Sequence, residues 1–221
     1  MSKKLEQKQA RRLEEESRKA ARRKDAVRRN LVTIIVAVVV AAAVVIAIAS
    51  EKQTKEKLVG VSVQEAGCDP VEEFEGREGQ HIKEGEPHDP YNSNPPTTGP
   101  HYESPADTGF YSSEIEAERV VHNLEHGQIV IYYHPDLSAE DQDLIEEIVD
   151  DDRIATVATP YPSVDDKYAF EMTAWLAGEG EDDPGTGVVQ GCAEVSQAAI
   201  NEFRKEYQGK SPEPLTPRFN G

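Results

Sequence analysis

The chain has 221 residues, with 24 Lys and Arg against 42 Asp and Glu, a formal net charge of −18. Once a tail and an apolar segment are set aside, that length leaves room for one ordinary domain. The acidity speaks against nucleic acid or anionic headgroups as partners, because those ligands are held by basic surfaces that release counterions.

The charge is unevenly spread. Residues 1–30 carry twelve Lys and Arg against five Asp and Glu, and Arg22, Arg23, Lys24, Arg28 and Arg29 stand just before an uncharged run. That run, Leu31 to Ala49, has no Pro or Gly, and Thr33 is its only polar residue. As a helix it would cover roughly 28 Å, close to the ~30 Å hydrocarbon thickness of a bilayer. A single transmembrane helix is therefore expected. The positive-inside rule puts the N-terminus in the cytoplasm and the remainder outside, as a single-pass protein of the cell membrane. That remainder has a net charge of about −25. Ala47-Ile48-Ala49 before Ser50 has the small-x-small form of a signal cleavage site, so cleavage after Ala49 stays open. The expected organisation is a basic cytoplasmic tail (1–30), a transmembrane helix (31–49), a stalk (50–58), an extracytoplasmic globular domain (59–210) and a flexible tail (211–221).

Cys68 and Cys192 are the only cysteines. Outside the cytoplasm a disulfide between them is the default, and closing so long a loop is worth roughly 4–5 kcal/mol in the chain-entropy view. No C-x-x-C supports a redox role.

From Cys68 to Pro105 the sequence is rich in Gly, Pro, Asn and His, and repeated X-Pro steps bias it toward an extended arm with turns. Helical periodicity returns from Ser113 to Glu125, with Gly127 as a stop. Residues 128–134 then form a β-branched and aromatic strand. Ser138-Ala139-Glu140-Asp141 opens a helix carrying Leu144, Ile145, Ile148 and Val149. Two more strands are expected over 153–159 and 168–176, the second with Phe170, Met172, Ala174 and Leu176 on one side. An acidic loop over 179–187 and a last helix over 195–207 complete the domain. This mixed order predicts an α+β fold, a small mixed sandwich domain preceded by the single transmembrane helix.

All six histidines fall between positions 81 and 134. In His122-Asn123-Leu124-Glu125-His126, a helix places His122, Glu125 and His126 on one face, with two imidazoles positioned for one ion. His101, in a Gly-Pro-His-Tyr turn, and His81 lie in the arm, which laid over the helix would complete three or four nitrogen ligands. The expectation is a transition-metal site, copper or zinc, on His101, His122 and His126, with His81 as fourth partner. A second reading is a structural or protein-interaction module of the envelope, partner unknown, whose histidines only hydrogen-bond the arm to the helix. A third takes H-x-x-E-H as a zinc-hydrolase pattern, with Glu125 as base and Glu202 a possible further carboxylate. Met172 is a soft copper ligand or, more simply, core. Trp175 and the tyrosines are packing residues, and no P-loop, nucleophile elbow or dinucleotide fingerprint is present.

The motifs Asn94-Pro95-Pro96-Thr97-Thr98-Gly99-Pro100-His101-Tyr102, Gly109-Phe110-Tyr111 and Val121-His122-Asn123-Leu124-Glu125-His126-Gly127 resemble a bacterial family of membrane-anchored domains of unknown function, family 3105. Thr98 stands where the family's proline-rich motif has Ser. The likeness covers Cys68 to Cys192 and implies the same tail, span and domain architecture, but no activity, substrate or catalytic residue.

Overall fold

The computed structural model describes residues 18–19, 39–46, 61–180 and 182–219. The chain divides into two compact units, 1–54 and 55–221. In the first, residues 39–46 are helical and exposed. The rest of the expected span, Leu31 to Ala49, and the stalk lie outside the described residues. Among the described residues no helix is long and apolar enough to cross a membrane.

The second unit is an α+β domain built on a six-stranded mixed sheet. Its strands are β1 (Glu72–Glu75), β4 (Gly109–Phe110), β5 (Ile129–Tyr133), β6 (Thr156–Pro160), β7 (Phe170–Leu176) and β8 (Thr186–Cys192), in the order β1-β8-β7-β5-β6-β4. β5 and β6 run parallel, as do β6 and β4, whereas β5, β7, β8 and β1 pair antiparallel. A separate two-stranded parallel sheet joins β2 (His81–Ile82) to β3 (His101–Tyr102).

Helices lie on both faces. On one, α2 (Ala139–Asp150) and α3 (Gln197–Tyr207) bury Leu144, Ile145, Ile148, Ile200 and Phe203 against Ile129, Ile131, Phe170, Met172 and Val188. On the other, α1 (Ala117–Glu125) packs Val120, Val121 and Leu124 against Val130, Tyr132, Val157 and Trp175. Each such apolar side chain contributes roughly 1.5–3 kcal/mol relative to exposure. The alternation expected in β7 is present, and Met172 is core. Ser138 caps α2 by accepting from the Asp141 amide at 3.1 Å, as its sequence position implies.

The differences are informative. α1 begins at Ala117, four residues later than the periodicity suggested. β1 and β8 occupy stretches read as arm and as loop or unassigned. The end of the chain, expected to be a flexible tail, is docked over 211–219. The Glu213 amide donates to the Glu125 carbonyl, the Leu215 and Thr216 amides donate to the His126 carbonyl, and Ser211 is buried. These amides satisfy carbonyls that the end of α1 leaves open. Cys68 and Cys192 form a disulfide and pair as an antiparallel β-bridge at the end of β8.

Candidate metal centre

The arm reaches α1 because its polar side chains are anchored along its length. Tyr91 donates to the Pro100 carbonyl at 2.7 Å, and Asn94 is tied to the Ser163 carbonyl and to Tyr161. Asn123 of α1 clamps Ala106 from both sides, accepting from its amide at 3.0 Å and donating to its carbonyl at 2.8 Å. Thr97, Thr98 and His101 of this arm are fully buried. The Asn94–Pro95 peptide is cis.

The histidines converge for local reasons. His81 and His101 are direct partners in the parallel β2–β3 ladder, so they stand side by side. His122 and Glu125 lie one turn apart on α1, which packs on β3. One donor atom from each of His81, His101, His122 and Glu125 falls within 4.8 Å of the others, a group that could hold a metal ion. All but His81 are buried. His101 meets the edge of Trp175 with ring centres 6.1 Å apart, which closes the inner wall.

The hydrogen bonds fix which nitrogens are available. His101 Nδ1 donates to the Gly99 carbonyl at 2.8 Å, and His122 Nδ1 donates to the Tyr102 carbonyl at 2.6 Å. A carbonyl only accepts, so the proton of each neutral ring is on Nδ1 and Nε2 carries a free lone pair. The Nε2 of His101 is 3.1 Å from Glu125 Oε2, and that of His81 is 3.8 Å from the same oxygen. Both contacts of His101 are met by a proton shared between Nε2 and the Glu125 carboxyl, or by a neutral ring sharing a cation with Glu125. Backbone carbonyls on the far nitrogen are the usual way in which ligating histidines are oriented.

Electrostatics agree with this geometry. Burial pushes the Glu125 carboxyl up, but the contact with His101 and the nearby His122 and His81 more than offset it and hold the group below the usual carboxylate range. Burial also lowers His122, and the neighbouring His101 and His126 add to the effect against the Tyr102 carbonyl, so the ring favours its neutral, ligating form. Gly79 forms part of the lining, since a Cβ there would come within 2.3 Å of Glu125 Oε1 and 3.1 Å of the Trp175 ring.

The chain belongs to the family described as Protein of unknown function (DUF3105). The family model matches residues 81–219 and so spans the donor group from its first histidine onward. No curated protein and no solved structure matches the chain.

Of the four expected ligands, the structure brings His81, His101 and His122 together around Glu125. His126 stands to one side. Its Nε2 is 2.8 Å from that of His122, but it groups with Glu125 and Glu213. Glu125 was legible in the sequence only as a hydrolytic base; here it sits among the donors. Glu213 carried no sequence signal, lying in a Pro-rich stretch with no periodicity. The remaining histidines are elsewhere: His88 pairs with Glu118 at 3.1 Å and His134 with Asp166 at 3.5 Å.

Proposed function

We propose that this protein is a membrane-anchored extracytoplasmic domain that binds a transition-metal ion through His81, His101, His122 and Glu125. The observation that carries the reading is the convergence of one donor atom each from His81, His101, His122 and Glu125 within 4.8 Å, with Nδ1 of His101 and of His122 held on carbonyls so that Nε2 is the nitrogen left to ligate. A divalent cation satisfies all of these acceptors at once.

Imidazole nitrogens with a single carboxylate suit zinc or copper, and copper(II) will bind most tightly whichever ion is native. Anchoring is supported by the apolar run Leu31 to Ala49 behind a basic tail. An extracytoplasmic location is supported by the disulfide, since such bonds persist in oxidising compartments. The competing envelope-module reading draws on the same contacts, which pin the arm to α1 with or without an ion. A hydrolase with Glu125 as base has less support, because that carboxylate touches His101 inside the donor group.

The test uses full-length, untagged protein in detergent, stripped with a chelator, dialysed against micromolar zinc and assayed by elemental analysis. At least one zinc per chain is expected. His101→Ala combined with His122→Ala should retain at least one zinc per chain fewer than the wild type. Gly79→Ala, which displaces the Glu125 carboxylate while keeping every ligand residue, should weaken binding on the order of tenfold or more. Retention of no metal by the wild type, or equal retention by the double variant, would hand the site to the envelope-module reading.

A further inference from the structure

We infer that a second divalent cation is held beside the first, on Glu125, His126 and Glu213, with the Glu125 carboxylate bridging the two. This rests on the metal reading of the first group and adds to it a dinuclear character and a residue from the far end of the chain. The donor atoms of Glu125, His126 and Glu213 lie within 4.8 Å of one another, as do those of the first group, and Glu125 is the member common to both. A carboxylate has two oxygens and about four lone-pair directions, enough to serve two ions.

His126 repeats the arrangement of the other two rings. Its Nδ1 donates to the Glu213 carbonyl at 3.1 Å, which leaves Nε2 as a lone pair. The Nε2 of His126 is 2.8 Å from that of His122, whose Nδ1 is likewise bonded to a carbonyl; without metal a proton on one ring makes this an N–H···N hydrogen bond, and two cations, one taken by each ring, would replace that proton.

Glu213 is held in place by the residues with which it would share the ion. Its amide donates to the Glu125 carbonyl at 3.1 Å, and its own carbonyl accepts from His126. The neighbouring Leu215 and Thr216 amides both donate to the His126 carbonyl. Glu213 brings a second carboxylate, in a region outside the tail whose net charge is about −25. With two carboxylates and one imidazole, the second position is harder than the first and suits zinc, manganese or iron.

The experiment counts zinc per chain in full-length, untagged protein after metal stripping, titration with zinc alone and gel filtration. Wild type is expected to retain two equivalents. Glu213→Gln, an exposed change, and His126→Gln should each retain one. One equivalent in wild type, unchanged in Glu213→Gln, would overturn the second position and leave the first standing. Two equivalents persisting in both variants would overturn it as well, by placing the second ion elsewhere. No zinc in any sample removes both readings together.

Discussion

Glu171 is the counterpart, away from the histidines, of the buried carboxylate at the centre of the site. It pairs across β5 and β7 with Tyr132, is 6% exposed, and its Oε2 has no hydrogen-bond partner. Burial, reinforced by Asp165 and Glu72, pushes its carboxyl up to about 7. In the unfolded chain it returns to the ordinary value of about 4.3. Between those values the folded protein holds a proton that the unfolded one has lost, so this contribution to stability falls as pH rises from about 4.3 to 7 and is gone above that. Glu171→Gln should therefore stabilise the protein at pH 8 by on the order of 2–3 kcal/mol and have little effect near pH 4.5, as read by denaturant melts at the two pH values. Glu125, also buried, moves the opposite way because imidazoles face it. The difference between the two glutamates is invisible in sequence, where each is one acidic residue among 42. Helical spacing put His122, Glu125 and His126 on one face, and the concentration of histidines in the arm drew in His101 and His81. It could not show that His126 faces outward toward Glu213, because that depends on where a segment with no periodicity comes to rest.

Among the elements, α2, β5 and β7 were readable because apolar periodicity and a capping serine are local signals. β8 and β1 were not, and the reasons are physical. β8 contains Gly187 and Gly191, poor strand residues, yet a Cβ at Gly187 would sit 2.0 Å from Thr97 Oγ1, and one at Gly191 would sit 2.2 Å from the Tyr168 ring. The arm and Tyr168 lie flat on the sheet only because those side chains are missing. β1 is Glu-Glu-Phe-Glu on the sheet edge, where charge discourages pairing with another chain and disguises the strand. The end of α1 follows similar logic. Gly127 has φ +82°, and a Cβ there would meet the Gly209 Cα at 2.8 Å, so the helix stops and the C-terminal segment crosses at one point. Gly127→Ala should cost about 1–3 kcal/mol in denaturant melts, from the left-handed backbone and the forced separation. The same variant should also weaken the proposed second cation position by displacing Glu213.

For the molecule as a whole, the disulfide ties the entrance of the domain to the last strand of its main sheet. Cys68 and Cys192 are 124 residues apart in sequence, and in the chain-entropy view such a loop is worth about 5 kcal/mol. Replacing both with Ala should lower stability by several kcal/mol, measured against the oxidised wild type in denaturant. The sheet should persist, because the buried clusters on its two faces do not depend on the bond. Composition placed this bond correctly. The mixed order of elements likewise pointed to an α+β domain, but the strand order had to come from the structure, since β1 and β8 gave no sign of themselves. The arm supplies His81 and His101, yet the wall against which His101 rests is Trp175 of β7, and the clasp on His126 comes from residues near the chain's end. A growing polypeptide would thus present its imidazoles well before the surfaces that aim them had been synthesised. On the metal reading proposed above, capture of an ion would wait until the segments that carry Trp175 and Glu213 had been made, and a product truncated before them would lack the means to hold one.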